Sequence, residues 1–348
     1  MRLLDAAVRV TTDGEPLVRL LREELGPLVR EARPADRRLP LLEVRFSPPP
    51  PRIAGGDEEV LLDPARAPEQ AFGAIFRSLL DRVAGFLVLH AAAVERDGRA
   101  FLVAGPSGTG KTTLALGLLE RGWRLLSDDF APLERGTGLV HPLPKPLGIR
   151  PGEAERTASP WLAAGALPPE LLAREPAPLG GIALVGTGGV APAADAPYRY
   201  GILLADGVDE AARRLAEAPG VTILERTDEG LLCEIDPRRA RGAELDRLLE
   251  ELTSRSLQHG VLARPHGGSE SPRLVPLPRS EAVVLLLREL QNRRRGNALA
   301  RAAGDDPARL ALELAAHLAG VPVTGVIAGE ARATVELLDR WFRDPHLA

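Results

Sequence analysis

The sequence predicts an α/β fold built around a phosphate loop, and three observations carry that prediction. Residues Gly105 to Thr112 fill the pattern G-x-x-x-x-G-K-[ST] completely, with an apolar run before them and an amphipathic run after. Short β-branched and leucine-rich runs alternate with helical patterns on both sides of that loop. Between them, 35 glycines and 32 prolines punctuate 348 residues, so the elements must be short and closely connected.

Taken in order, residues 1–46 read as a strand, a helix near Glu15–Glu31 and a strand at LLEVRF. The four prolines of SPPPPRIAGGDE cannot donate to a ladder or continue a helix, so the segment reads as a stiff surface linker, with a Pro-rich ligand for a partner as the alternative. A strand at EEVLLD and a helix over Glu69–Val83 complete a small N-terminal α/β domain, 1–85. From residue 86 the pattern turns to buried strands, FLVLHAAAV and RAFLVAG, separated by the turn signal ERDG. TTLALGLLERG places Leu114, Ala115, Leu118 and Leu119 on one helical face and stops at Gly122. WRLLSDDFAPL reads as a strand running into paired aspartates, and 142–195 reads as loop-rich. The region 199–264 has the order β-α-β-β-α-β, which fits either an inserted split-βαβ module or further strands of the main fold. Helices at Glu281–Asn292, Asp306–Leu318 and Glu330–Phe342, with a strand at VPVTGVIAG, close a domain spanning 86–348.

Composition excludes several functional classes. Hydrophobic residues make up 45% and charged residues 26%, ordinary values for a chain with a large core, and with 3% aromatics that core must be aliphatic. A net charge of −4 lacks the basic footprint of a nucleic-acid binder. Cys233 is the only cysteine and reads as a core filler, so the chain has no internal disulfide and no multi-cysteine metal site. No apolar run is long enough for a membrane span. These features predict a soluble, cytoplasmic protein without nucleic-acid or membrane partners; self-association is left open.

The lysines sharpen the reading of the loop. Of 44 basic residues only Lys111 and Lys145 are lysine. An ammonium is a compact point charge, whereas guanidinium is a planar fork too wide for a loop wrapped around a phosphate chain. Gly105, Pro106, Ser107, Gly108, Thr109, Gly110, Lys111, Thr112 and Thr113 are therefore the candidate nucleotide contacts. Glycines let successive backbone N–H groups face inward as an anion nest, with the helix N-terminus beneath. The Lys111 ammonium would reach the β- and γ-phosphates of ATP, and the Thr112 hydroxyl would face Mg²⁺.

Asp128 and Asp129 end an apolar strand, where one carboxylate commonly supports Mg²⁺ and a second can take a proton from an attacking hydroxyl. Successive strand residues face opposite ways, so both can serve only where the chain turns. His90, inside VLHAAAV, reads on its own as a core histidine.

The run LHAAAVERDGRAFLVAGPSGTGKTTLALGLLERGWRLLSDD resembles the catalytic domain of the HPr kinase/phosphorylase family and its wider group of HPr-kinase-like proteins. That group shares the LHA strand, the hairpin, the phosphate loop, the helix closing in Arg121-Gly122 and the strand ending in the paired aspartates. Resemblance is clear over about 86–150 and weaker over about 270–343. It implies a P-loop kinase core of the HPr kinase C-terminal type, a central mixed sheet flanked by helices. It further implies Asp129 as general base, Asp128 and Thr112 at the metal, and His90 as an active-site residue.

Departures narrow the implication. No Glu-bearing stretch of the type EIRGLGI follows the aspartates; PLPKPLGIR stands there instead. The family's metal-binding Glu and its later catalytic Arg have no counterpart, and the first 85 residues are short for a regulatory domain. The expectation is an ATP- and Mg²⁺-dependent kinase other than HPr kinase itself, acting on a hydroxyl, foremost a serine of a peptide or protein. A small hydroxylated metabolite as acceptor, a nucleotide-hydrolysing switch and a nucleotide sensor are the alternatives. Lys145, held extended between Pro144 and Pro146, and Arg150 are candidate substrate contacts.

Overall fold

The computed structural model describes all residues except 56–57, 144–166, 187–190, 205–206, 229, 241–242, 263–270, 293–296 and 346–348. Lys145 and Arg150 lie outside the described residues.

The chain begins with the ribbon β1 (Arg2–Leu3) and β2 (Ala6–Ala7), then β3 (Arg9–Thr12), α1 (Glu15–Leu25), β4 (Leu41–Arg45), β5 (Arg52–Gly55), β6 (Glu58–Leu61) and α2 (Ala67–Leu80). Helix α1 stops short of Glu31 because Gly26-Pro27 follows, and a 3₁₀ turn takes over at Gly26–Leu28. Strands β3 and β4 are parallel, and β4, β5 and β6 antiparallel, in one four-stranded sheet, so Arg52–Gly55 of the segment read as a linker is a strand with Ile53 in the core. Leu17, Leu21, Leu42, Val44, Ile53, Ile75 and Leu79 fill the core that joins this sheet to both helices.

The main sheet is formed by β7 (Phe86–Leu89), β8 (Ala91–Arg96), β9 (Arg99–Ala104), then after α3 (Lys111–Leu119) by β10 (Arg124–Ser127), β11 (Ala131–Glu134), β12 (Leu139–Val140) and β13 (Ala177–Val185). Its order is β10-β8-β9-β13-β12-β11-β7. Strand β13 is the pivot: it pairs parallel with β9 and, at its start, antiparallel with β12. The sequence reading leaves this strand inside a loop-rich segment, and the structure corrects that. Proline and glycine around APLGGIALV mask a strand whose glycines have a packing role. A Cβ at Gly180 would meet the Phe101 ring at 2.8 Å.

FLVLHAAAV is also not one strand. It breaks at His90, with β7 pairing β11 and β8 pairing β9 and β10. The partner ribbon breaks opposite, between β10 and β11, at Asp128–Phe130. Two facing breaks curl the mixed sheet and leave polar residues at its bend.

Next come β14 (Tyr198–Leu204), α4 (Val208–Glu217), β15 (Val221–Arg226), β16 (Gly230–Ile235), α5 (Ala243–Arg255) and β17 (Ser256–Leu262). They form a separate four-stranded antiparallel sheet of order β15-β16-β14-β17, with Ile202, Leu215, Leu231 and Leu248 in its core. Cys233 is buried there, its thiol pushed up to about 12 by desolvation, so it is an inert filler.

The remaining elements are β18 (Arg273–Val275), α6 (Arg279–Arg288), α7 (Ala298–Ala302), α8 (Pro307–His317), β19 (Val323–Ile327) and α9 (Ala331–Arg343). Strand β19 extends the main sheet parallel to β13, and β18 lies antiparallel outside it. Helices α3 and α9 cover one sheet face through Leu118, Val335, Leu338 and Phe342; α6, α7 and α8 cover the other through Leu286, Leu299 and Leu314. The result is a mixed α/β fold whose curled sheet has helices on both sides.

One buried polar contact locks α9 to the sheet. The Trp123 indole N–H donates to Asp339 Oδ1 at 2.8 Å, and Arg343 donates to the same oxygen at 2.9 Å. Burial works against the charge, but Arg343 and Trp123 outweigh it and hold the carboxyl below its ordinary value. A depressed folded value stabilises the fold above the unfolded one, and that stabilisation is lost as pH falls through the folded one. Thermal unfolding followed by Trp fluorescence should show the melting temperature falling on acidification, with Asp339→Asn flattening that limb. An unchanged limb in the variant would assign the acid sensitivity elsewhere.

Candidate active site

The glycine-rich loop joins β9 to α3 at the end of the sheet where the two breaks lie. Gly105 has φ +146°, and a Cβ there would meet the Val185 carbonyl oxygen at 2.7 Å, so no other residue fits. Gly108 and Gly110 are also left-handed, at +89° and +87°, and Gly110 caps the N-terminus of α3. Lys111, 5% exposed, donates from Nζ to the carbonyls of Gly105 at 2.8 Å and Pro106 at 3.1 Å, arching back over its own loop. Thr109 Oγ1 donates to Pro106 O at 2.9 Å and tightens the turn. A cleft of about 230 Å³ opens beside it, walled by Gly108, Thr113 and Leu114 on one side and Gly329 and Thr334 on the other. A larger cleft of about 540 Å³, near Glu95, Arg124 and Arg174, contains none of the candidate residues.

Thr112 Oγ1 donates to the Asp128 carboxylate, 3.1 Å from each oxygen, and Asp128 is 1% exposed. A hydroxyl and a carboxylate together suit a hard divalent cation. Among the described residues no group of three acidic, His or Cys side chains could hold a metal alone. Thr112 and Asp128 are the described residues that could hold such a cation.

Asp129 turns the other way. Its φ of +65°, rare for a residue with a Cβ, breaks the strand, and the Phe130 N–H donates to Asp128 O at 2.9 Å across it. The Ser127 hydroxyl donates to Phe130 O, and the Phe130 ring packs edge-on against Phe76 of α2 at 4.9 Å. The N-terminal sheet and helices thus buttress the turn that separates the two carboxylates. Adjacent strand residues would have faced opposite sides of the sheet; the turn keeps both at the bend.

His90 faces Asp129, with Nε2 3.7 Å from Oδ1. Its Nδ1 lies 3.0 Å from Glu289 Oε2, and its backbone N–H donates to Glu289 O at 2.7 Å. Burial and the Lys111 charge both disfavour protonation, yet the Asp129 and Glu289 carboxylates prevail and raise the histidine above its ordinary value. Sequence reading misses Glu289. It lies 199 residues from His90, at the end of an apolar helix, in no motif that would single it out.

It also misses a contact on the loop itself. The Ser107 N–H donates to Val261 O at 2.8 Å, and Ser107 bridges Leu262, so the separate antiparallel sheet meets the glycine-rich loop through β17. The loop residues, Thr112, Asp128, Asp129 and His90 thus converge on one end of the sheet; Lys145 and Arg150 lie outside the described residues.

Comparison with known proteins points to the same segment. A family described as SynChlorMet cassette protein ScmC matches residues 69–156, which contain His90, the loop and both aspartates. HPr kinase/phosphorylase of Treponema pallidum (strain Nichols) is 41% identical over 68 residues, covering 19% of this chain and 21% of that protein. The HPr kinase/phosphorylase of Clostridium botulinum (strain Eklund 17B / Type B) is 38% identical over 62 residues, covering 18% and 20%. The chain thus spans about a fifth of the length of these curated relatives. Loop, aspartate pair and partial identity together make this chain a distant relative of HPr kinase/phosphorylase.

Proposed function

We propose that this protein is a kinase that transfers the γ-phosphoryl group of ATP to a hydroxyl, with a serine of a peptide or protein as the foremost acceptor. The observation that carries the reading is the division of labour between neighbouring aspartates. Asp128 is buried against Thr112, and Asp129 is turned away to face His90. A site needing only a metal carboxylate would not require a second carboxylate held out by a left-handed turn.

In this reading the loop N–H groups and Lys111 bind the phosphates and neutralise their charge. Thr112 and Asp128 would hold Mg²⁺, which when bound screens the charge on the β- and γ-phosphates. The acceptor oxygen forms a bond to the γ-phosphorus as the bond to the β,γ-bridging oxygen breaks. The electron pair leaves on ADP, and Asp129 accepts the hydroxyl proton. His90 keeps the Asp129 carboxylate oriented and balances its charge. Strand β17 is bonded to the loop at Ser107, which supports the separate sheet as a proposed acceptor-binding element, with Lys145 and Arg150 as further proposed contacts.

The test is incubation of the protein with γ-labelled ATP and Mg²⁺, with and without extract of its own cells. Label on a discrete acceptor supports the kinase. Free phosphate released at the same rate without any acceptor would replace the reading with a nucleotide-hydrolysing switch.

A further inference from the structure

We infer that Glu289 is a positioning residue for His90, fixing the imidazole so that Nε2 is presented to Asp129. The inference rests on the phosphotransfer reading and deepens it. Neither the resemblance to known kinases nor the motif spacing supplies this residue, and the stretch matched by the ScmC family ends at residue 156, well before it.

The geometry comes from the curl of the main sheet. Where β7 ends, the segment after α6 runs beside it in place of a strand. Leu290 bridges Leu89, the Gln291 N–H donates to Val88 O at 2.8 Å, and the His90 N–H donates to Glu289 O at 2.7 Å. Asn292 clips the segment down, accepting from Val88 N at 3.1 Å and donating to Phe86 O at 2.9 Å. These contacts set the Glu289 and His90 backbones side by side before either side chain is considered. The carboxylate then meets Nδ1 at 3.0 Å in a pocket where Glu289 is only 4% exposed.

A buried carboxylate needs a strong partner, and among the described residues the His90 imidazole stands at hydrogen-bond distance. Accepting from Nδ1–H fixes the ring's rotation, and it supports the imidazolium, the form in which Nε2 also carries a proton toward Asp129. The charged groups that act on the ring are Lys111 from the start of α3, Asp129 from the β10–β11 turn and Glu289 from the end of α6. Lys111 opposes the imidazolium; Asp129 and Glu289 favour it. Removing Glu289 would free the ring to rotate or change tautomer and loosen its hold on Asp129. The nucleotide-binding loop would be untouched.

The experiment compares wild type, Glu289→Gln and Glu289→Ala. Turnover and KM for ATP are measured with labelled ATP, and the His90 ring nitrogens are followed by ¹⁵N NMR, with assignment by His90→Gln. Glu289→Ala should lower turnover about tenfold to a hundredfold, less than the roughly 10²–10⁴ of full general-base assistance because the residue acts through His90, and leave KM for ATP within about twofold. Its His90 nitrogens should lose the Nδ1–H signature. Glu289→Gln keeps an acceptor oxygen without the charge, so it should lose less turnover while the His90 titration midpoint falls; it decides the matter if the alanine variant does not fold. Wild-type turnover together with wild-type ¹⁵N shifts in a folded variant would overturn the inference. Should the wild-type protein transfer no phosphoryl group, the kinase reading fails, and the ¹⁵N spectra still decide whether Glu289 fixes the ring.

Discussion

Asp129→Asn is expected to lower phosphoryl transfer about 10³-fold while leaving ATP affinity within about twofold, since general-base assistance is worth roughly 10²–10⁴. The variant is a clean probe for a structural reason. Asn is isosteric and tolerates the left-handed region, so the φ of +65° and the Phe130–Phe76 contact should survive. Asp128, which meets Thr112, is untouched. Single-turnover transfer of labelled phosphate, set beside equilibrium binding of ATP, separates the two effects. Undiminished transfer would remove Asp129 as the base, and lost ATP binding would move it into the nucleotide site.

Lys111→Met should reduce transfer by about 10²–10³-fold or more, the cost of deleting one preorganised charge from a phosphate site. Here ATP binding should fall as well. Met retains most of the stem that packs beneath the loop, so folding should be preserved. The informative companion is Lys111→Arg. In a chain that otherwise uses arginine almost everywhere, arginine should still fail here. The ammonium reaches the Gly105 and Pro106 carbonyls in a site 5% exposed, and a guanidinium fork would have to push the loop open to fit. ATP affinity by calorimetry and melting temperature together check this; an arginine variant with native affinity would show that the loop accepts either cation.

Much of this was legible from local chemistry. The loop, its flanking strand and helix, and the helix stop at Gly122 are encoded within a few residues, because backbone freedom, periodicity and charge act over one or two turns. The β-α-β-β-α-β order of 199–264 could likewise be read from periodicity, although its separation into another sheet could not. Strand β13 was hidden because its glycines answer to Phe101, a residue distant in sequence. The breaks at His90 and Asp128–Phe130 were hidden because FLVLHAAAV and WRLLSDDFAPL are apolar enough to run on as strands. Only the choice of different partners for β7 and β8 interrupts them.

The sequence by itself therefore determined the chemical groups on which the proposed function rests: which cation, which hydroxyl and which carboxylates are available, and in what order. The tertiary structure alone decided how they are shared out. The curl of the sheet turns Asp128 toward Thr112 and Asp129 toward His90, and it seats Glu289 behind that histidine. The physical reason is range. A loop's shape follows from its own dihedral angles, whereas the direction of a side chain at a sheet bend depends on which distant strands close around it.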